Sequence, residues 1–168
     1  MQNLTAQAIT GGNLFIDGVG KIGELKSAEL PKFEHETIET NSAVGKYEVV
    51  LPLLKPLTCK LEVNNVNSVY FSMLNTNMPH SFYIRKNLTA TGGEQTKVTA
   101  TFAGNIKVLE TPKFEMGSEA VLSIEIACFF VKYDIDDKPA LIYDVENIFY
   151  VVNGVDLLEK IRKTKRDI

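Results

Sequence analysis

The chain has 168 residues, of which 45% are hydrophobic and 23% are charged, with 21 acidic against 18 basic side chains. This length predicts one domain that can bury its own hydrophobic core. The formal net charge of −3 argues against non-specific nucleic-acid binding through a strongly basic surface. The first residues lack the basic and apolar regions of a secretory signal, and no segment approaches the ~18 apolar residues of a transmembrane helix.

The first third of the chain predicts short strands followed by an unusual apolar segment. The expected strands are residues 13–16 and about 22–30, around a turn at Asp17-Gly18, and then 32–40. Residues 41–46 are mostly small or polar and predict a loop. The apolar run 49–57 contains two prolines, which bar it from a central position in a sheet. This run either covers the protein's own core or docks on a neighbouring subunit.

The middle of the chain predicts an alternating strand and a short helix. Residues 58–64 alternate, and together with the preceding Leu57 they place four apolar side chains on one face: Leu57, Cys59, Leu61 and Val63. Asn64-Asn65 can cap a helix at about 66–74, whose apolar side chains recur at steps of three and four residues.

The last half of the chain predicts further antiparallel strands and a terminal helix. The expected elements are a hairpin of 81–90 and 95–109, a long strand at 118–133, a turn at 136–139, a strand region at 141–152 and a helix at 157 to about 164. In the long strand, the apolar face is expected to run from Ala120 through Phe130, and Asp156 is expected to cap the last helix. This order predicts a mainly β fold, an antiparallel β-barrel or sandwich with a short central helix and a C-terminal helix.

The residues that could support chemistry do not form a recognisable site. His35 and His80 have no second histidine or cysteine at ligand spacing, and the chain has no Gly-x-Ser-x-Gly motif or phosphate-binding glycine loop. Cys59 and Cys128 lie on the apolar sides of strand-like runs and are expected to be buried free thiols, with a disulfide or a reactive thiol as the alternative. We therefore predict no catalysis, no cofactor and no metal site.

Two end motifs are the most specific feature of the sequence. Asn13-Leu14-Phe15-Ile16-Asp17-Gly18 opens the chain and is followed by Gly23 and Leu30-Pro31-Lys32, and Val152-Asn153-Gly154-Val155-Asp156 precedes the final helix. In order, spacing and distance from the termini, these motifs resemble those of the major tail tube proteins of contractile bacteriophages and R-type bacteriocins. The resemblance spans nearly the whole chain and implies that 1–168 is one tail-tube domain with an extended apolar loop or hairpin at about 40–57.

This resemblance implies a structural subunit that self-assembles into rings, expected to be hexameric, which stack into a hollow tube. The implied partners are further copies of the chain, a tail sheath protein outside the tube, baseplate and terminator proteins at its ends, and DNA as transiting cargo in a phage. The implied location is a virion tail or a released bacteriocin particle assembled in the bacterial cytoplasm. The alternatives are a type VI secretion-like tube protein and, from the residues alone, a monomeric β-barrel that binds a small ligand.

In such a tube, one sheet face lines the lumen, where acidic or neutral side chains do not hold the phosphates of passing DNA. The candidate lumen-facing residues are Glu34, Glu36, Thr99, Thr101, Glu119, Ser123 and Glu125, for which an ordinary solvated strand face is the alternative. The candidate contacts between subunits or rings are Tyr47, Val49, Val50, Leu51, Leu53, Leu54, Leu57, Lys160 and Arg162. For the two basic residues, favourable placement near the C-terminus of a helix is the alternative.

Overall fold

The computed structural model describes residues 6–16, 20–75 and 79–166, and antiparallel strands dominate it. The strands are β1 (Gln7–Ile16), β2 (Gly20–Glu29), β3 (His35–Ser42), β4 (Gly45–Leu54), β5 (Leu57–Val63), β6 (His80–Ala90), β7 (Gln95–Glu110), β8 (Leu122–Ile135), β9 (Lys138–Asp144), β10 (Phe149–Val152) and β11 (Val155–Asp156). The helices are α1 (Ser68–Ser72) and α2 (Glu159–Arg166). The predicted mainly β fold with two helices is confirmed, whereas the turn expected at Asp17-Gly18 lies outside the described residues.

Nine strands form one sheet in the order β11-β10-β9-β8-β5-β2-β1-β6-β7, and β3 and β4 form a separate two-stranded sheet. Strand β7 also pairs with β8, so hydrogen bonding runs from β8 through β5, β2, β1, β6 and β7 and returns to β8. All of these pairings are antiparallel. The consecutive ladders curl the sheet around one hydrophobic core, which gives the sandwich-like arrangement.

Two groups of ladders face each other across this core. We call the first group the four-strand layer: residues 25–29 of β2, 57–63 of β5, 122–128 of β8 and 105–110 of β7. The second layer contains β1, β6, the remaining parts of β7 and β8, and then β9 to β11. Fully buried side chains from both layers meet between them, including Leu61 and Ile124 from the first and Phe82 and Phe102 from the second. The two phenylalanine rings stack with their centroids 5.4 Å apart.

Bulges let β7 and β8 pass from one layer to the other. The register of their ladder shifts between Ala103 and Gly104, where Gly104 lies opposite Cys128. At this point the strands approach so closely that a Cβ atom at position 104 would overlap the backbone carbonyl of Ala127. The bulge therefore requires glycine, and it allows the strands to turn a corner while both keep contributing to the core.

The same bulge changes which face of β8 is buried, so the predicted inward face of this strand is wrong beyond the bulge. Leu122, Ile124 and Ile126 are buried as expected, but after the bulge Val131 becomes the buried residue and Phe130 does not continue the face. The strand also begins at Leu122 and extends to Ile135, so the predicted range of 118–133 was wrong at both ends. An alternating sequence pattern cannot show where an extra residue reverses which face is buried.

Several local predictions are confirmed, and others need correction. The strand 58–64 corresponds to β5, with its alternating inward face, and 91–94 does connect β6 to β7. The central helix is shorter than the expected 66–74, and its cap is Asn67, whose side-chain oxygen accepts a hydrogen bond from the Val69 N–H at 3.1 Å. The region 141–152 is divided into β9 and β10 by a turn at 145–148.

Two tight hairpins in the second layer depend on left-handed backbone conformations. Asp136 and Asp137 have φ angles of 50° and 63°, and Asn153 and Gly154 have φ angles of 47° and 85°. Positive φ at both central residues is typical of the two-residue turns whose twist matches antiparallel strands, and Asp, Asn and Gly tolerate it best. The closing sequence motif around Asn153-Gly154 is thus a hairpin turn between β10 and β11.

Candidate assembly surfaces

The apolar segment predicted as a loop is one arm of a long hairpin. Strands β3 and β4 continue to a two-residue turn at 43–44, so the loop expected at 41–46 was wrong. The hairpin spans 35–54, compared with the predicted 40–57. Pro52 lies in a bulge of the β3–β4 ladder. The pair Thr37–Val50 is followed directly by the pair His35–Leu54, so three residues of β4, including Pro52, lie opposite Glu36. Proline tolerates such a bulge because it has no N–H to donate to a ladder.

Apolar side chains cover much of this hairpin and face solvent. From Thr37 to Leu53 every residue is exposed except Thr40 and Leu51, which are half-buried. The exposed fractions of the larger apolar side chains are 53% for Ile38, 100% for Val44, 52% for Tyr47, 39% for Val49, 62% for Val50 and 46% for Leu53. So many exposed large apolar side chains on one element mark an interaction site, and a two-stranded hairpin alone is only marginally stable.

The base of the hairpin is fixed to the second layer and to the C-terminal segment. Leu54 is buried beside Tyr150 and Leu158. The Tyr150 hydroxyl and His35 Nε2 lie 2.9 Å apart, at hydrogen-bonding distance. The backbone N–H of Lys55 donates to the Glu34 carbonyl at 2.8 Å, and the Lys55 ammonium, 3.2 Å from the Glu34 carboxylate, holds the pKa of that carboxyl below its usual range.

Two of the predicted inter-subunit contacts are therefore wrong. Leu57 is 3% exposed and belongs to the main core, and Leu54 is 8% exposed in the cluster at the base of the hairpin. Neither side chain has surface to offer a second subunit. The remaining predicted positions on the hairpin are at least partly accessible.

The C-terminal helix uses Arg162 within the chain. Its Nη2 lies 2.6 Å from the Asp156 carboxylate, its Nη1 donates to the Ile148 carbonyl at 3.2 Å, and its guanidinium lies 4.3 Å from the centre of the Phe149 ring. Only 15% of the side chain is exposed, so its guanidinium serves contacts within the chain and leaves little surface for the predicted contact with another subunit. Asp156 was predicted to cap a helix starting at residue 157, but α2 begins at Glu159; Asp156 Oδ1 accepts a hydrogen bond from the Leu158 N–H at 3.1 Å in the turn before the helix. Lys160 is exposed.

The outer face of the four-strand layer is predominantly acidic. Two rows of neighbouring residues cross it: Ser27, Glu62, Ser123 and Glu110 in the first, and Glu29, Lys60, Glu125 and Val108 in the second. The Ser27 hydroxyl donates to the Glu62 carboxylate at 3.0 Å, which shows that these two side chains share the face. The two rows contain four carboxylates and a single ammonium group, so the face is negatively charged.

The structure does not bring the seven predicted lumen-facing residues onto one face. Ser123 and Glu125 lie on the outer face of the four-strand layer, whereas Thr99 and Thr101 lie on the second layer, opposite Asp134 and Lys132 of β8. The bulge at Gly104 separates the two sets by turning β7 from one layer to the other. Sequence analysis missed Glu29, Glu62 and Glu110, although alternation of β5 already placed Glu62 away from the core.

The other three predicted lumen residues lie at the ends of strands. Glu34 precedes β3 and is paired with Lys55 and Lys32, and Glu36 is in the hairpin opposite the bulge. Glu119 precedes β8 and lies 3.2 Å from the Lys26 ammonium.

A second apolar surface lies around α1. Residues 111–120, between β7 and β8, and the outer side of α1 enclose a cleft of about 560 Å³. Phe114 and Met116 are fully exposed at this cleft, and Val66 and Phe71 are half exposed. This surface lies at the end of the four-strand layer where β5 ends and β8 begins, whereas the hairpin leaves from the opposite end, between β2 and β5.

Burial determines the state of the two thiols. Cys59 is buried and free, as predicted, and Cys128 is half-buried and free. Burial raises the pKa of the Cys59 thiol and raises that of Cys128 to about 12, so neither forms a reactive thiolate near neutral pH. No group of three or more potential metal ligands converges among the described residues. No described helix has the length and apolar character needed to span a membrane.

Solved structures with a similar fold include chains of an extracellular contractile injection system and of an anti-feeding prophage cap. In the cryo-EM structure of the PVC sheath–tube complex of an extracellular contractile injection system, in the extended state, one chain matches with a TM-score of 0.55 and 20% identity, over 74% of this chain and 88% of that chain. A chain of the PVC sheath/tube terminator matches with a TM-score of 0.57 and 18% identity, over 74% and 93%. A chain of the anti-feeding prophage tube-terminating cap matches with a TM-score of 0.54 and 18% identity, over 79% and 95%.

At these identities the likeness shows a shared fold. No curated protein matches the chain at a significant level. A sequence model of the family described as phage tail tube protein FII matches residues 6–164. Because this match covers nearly the whole chain, the protein belongs to the phage tail tube protein FII family.

Proposed function

We propose that copies of this chain form rings, expected to be hexameric, that stack into the inner tube of a contractile phage tail or of a phage-derived bacteriocin. Family membership supports a structural tail tube subunit. The similar folds include chains of a sheath–tube complex and of a tube terminator, which supports a sheath outside the tube and a terminator at its end. Baseplate proteins at the other end, DNA as cargo in a phage and a location in the virion tail belong to the same proposal, and so does the absence of catalysis.

The exposed apolar hairpin is the observation that carries this proposal. Val44 at its tip, together with Tyr47 and Val50, loses contact with water only if another molecule covers the hairpin. Only the base of the hairpin is fixed by described contacts. A structural element that the single chain leaves exposed is expected to be completed by assembly.

The positions of the two apolar surfaces favour stacking. The hairpin leaves one end of the four-strand layer, and the cleft lined by Phe71, Phe114 and Met116 lies at the other end. If successive rings are related by translation along these strands, the hairpin of one copy approaches the cleft of the next. Such a head-to-tail contact between unlike surfaces does not close on itself and produces an open filament.

The acidic outer face of the four-strand layer is the proposed lumen wall. Glu29, Glu62, Glu110 and Glu125 share this face with Lys60. A carboxylate-rich wall does not bind phosphates and lets a polyanion slide. Ser123 and Glu125 remain lumen candidates in this proposal, while Thr99 and Thr101 do not share the face. Lys160 stays a candidate contact on the outside of the subunit.

The first test is electron microscopy and light scattering of the purified chain. We expect rings or hollow rods for the wild type. Val50→Glu places a charge on an exposed hairpin position, so the fold is retained while rods are lost in favour of rings or monomers. Val155→Glu is the matched control, because Val155 is 61% exposed, almost as much as Val50, but lies in β11, away from the hairpin. A wild-type chain that stays monomeric at all concentrations, or V50E rods as long as those of the wild type, would contradict the proposal.

A further inference from the structure

A cavity opens where β1 and β2 separate. The ladder between these strands joins residues 13–16 to residues 20–24, and beyond it β1 continues beside β6 while β2 continues beside β5. Because the two strands then belong to different layers, a space of about 460 Å³ remains between them. We call this space the fork cavity. It is lined by Ile9 and Thr10 of β1, residues 25–28 and 30, and Ile84 and Lys86 of β6.

Lys86 enters the fork cavity from the inward face of β6. The side chains of this strand alternate, since Phe82 and Ile84 are buried whereas the intervening Arg85 is exposed. Lys86 follows two residues after Ile84 and therefore continues the inward series. Its side chain is half-buried, and it lines the cavity together with Ile84. A basic residue thus occupies a position where an apolar side chain would extend the core.

The ammonium group of Lys86 has no anionic partner among the residues that the structure describes. It takes part in none of the ion pairs found there. The other polar side chains of the cavity wall, those of Thr10, Lys26 and Ser27, each have a hydrogen-bond or ion-pair partner within the chain. Burial lowers the pKa of Lys86. Its charge is therefore partly removed from water without compensation.

A carboxylate on an aliphatic stem matches the fork cavity. The walls formed by Ile9, Leu25 and Ile84 are apolar and disfavour a fully hydrated ion. A glutamate side chain can lay its methylene groups against these walls and form a charge-assisted hydrogen bond with the ammonium group. Each copy of the chain carries exposed carboxylates that lie outside every ion pair of the described residues, among them Glu29, Glu94 and Glu110. Charge complementarity therefore favours a second copy as the source of the occupant.

We propose that the fork cavity receives an acidic side chain of a neighbouring copy and that Lys86 pairs with its carboxylate. This inference rests on the proposed function, because it assigns one specificity-determining residue to the association of subunits. A half-buried ammonium group without a partner weakens the free chain, whereas the same group paired across a contact strengthens the assembly. Lys86 therefore shifts the balance toward the assembled state and rejects a neighbour that brings no carboxylate.

Lys86→Met separates this role from a structural one. Methionine keeps most of the aliphatic stem and removes the charge, so we expect the melting temperature of the unassembled chain to rise by about 2 °C. The concentration needed for assembly, measured by light scattering, should rise about fivefold. A lysine that served only its own chain would instead lower the melting temperature when replaced. Lys138→Met is the matched control, because Lys138 is exposed and the change in net charge is the same.

Zero-length cross-linking identifies the source of the carboxylate. Rods assembled from an equal mixture of unlabelled and isotope-labelled chains are treated with a carbodiimide, which joins an amine to a carboxylate in direct contact. Mass spectrometry should then find Lys86 peptides linked to an acidic peptide of the other isotope. Exchanging the two charges, with Lys86→Glu and a lysine in place of the linked acidic residue, should return assembly to near the wild-type concentration.

The outcomes separate this inference from the proposed function. A K86M variant that assembles at the wild-type concentration, or that melts below the wild type, overturns the role of Lys86 and leaves the tube subunit intact. Cross-links confined to single chains overturn it as well, because the chain itself would then supply the carboxylate. Assembly that depends on Lys86 without any cross-link between copies would mean that a small anion from solution fills the cavity, which also overturns the inference. A wild-type chain that forms neither rings nor rods contradicts both proposals.

Discussion

Strands β4 and β5 are similarly apolar in sequence but have opposite environments. β5 has neighbours on both edges, β2 and β8, and alternate side chains from Leu57 to Val63 are buried in the core. β4 has β3 on one edge and no described strand on the other, and its apolar side chains from Tyr47 to Leu53 are largely exposed. The same kind of residue therefore stabilises the single chain in one strand and is available to stabilise an assembly in the other.

This difference predicts which mutations act on folding and which act on assembly. Removing a buried β5 side chain leaves a cavity in the core and lowers the free energy of unfolding of the monomer itself. Removing one of the exposed β4 side chains leaves the monomer nearly unchanged, because that side chain is already largely in water. Comparing matched substitutions in the two strands makes this distinction measurable.

The largest effect is expected for Leu61→Ala. Leu61 is fully buried, so the substitution should lower the free energy of unfolding by about 3 kcal/mol. Leu53→Ala removes the same atoms from a side chain that is 46% exposed, and it should change the stability of the monomer by less than about 0.5 kcal/mol while shortening the rods. Urea unfolding below the assembly concentration measures the first quantity and electron microscopy the second. Equal destabilisation by the two substitutions would show that the hairpin is part of the folding unit.

The next largest effect on stability is expected at Gly104, in the bulge where β7 and β8 turn the corner between the two layers. Gly104→Ala forces a methyl group against the Ala127 carbonyl of the adjacent strand, and separating two paired strands should cost about 2 kcal/mol. Gly92→Ala, in the turn between β6 and β7, is the control, because a methyl group there meets no atom within contact distance. Thermal unfolding of the two variants tests this, and a G104A variant as stable as G92A would mean that the corner relaxes freely.

The sequence predicted the parts of the fold that depend on local alternation and turn chemistry. The inward face of β5 follows from residues 57–63, and the closing turn follows from Asn153-Gly154. The reversal of the buried face in β8 was not predictable, because it depends on a bulge made by two distant strands around Gly104. The start of β4 was missed because small residues at its turn resemble a longer loop.

The candidate surfaces were predictable to a smaller extent. Apolar content around Pro52 directed attention to the hairpin, but which leucines are exposed depends on where Leu54 meets Tyr150 and Leu158. The acidic face was only partly found, since strand order determines which carboxylates become neighbours. Strand order results from long-range pairing, which the alternation of a single strand does not encode.

The smallest effect is expected at the C-terminal anchor and depends on pH. The hydrogen bond and charge of Arg162 hold the pKa of Asp156 below its usual range in the folded chain. The ion pair should therefore contribute its full stability above the unfolded pKa of about 3.9 and lose it as the pH falls through the lower folded value. Asp156→Asn keeps an oxygen for the Leu158 N–H but removes the charge, and it should cost about 1 kcal/mol at pH 7.

Urea unfolding of wild type and D156N between pH 7 and pH 2 tests this dependence. The stability difference between them should shrink as the pH falls below about 4, because the wild-type carboxyl then becomes neutral as well. Glu159→Gln is the control, since its pair with Lys163 at 2.7 Å lies on the exposed surface of α2 and should contribute less. A difference that stays constant down to pH 2 would mean that the charge of Asp156 contributes nothing to anchoring the helix, and that the amide of D156N destabilises the chain for another reason.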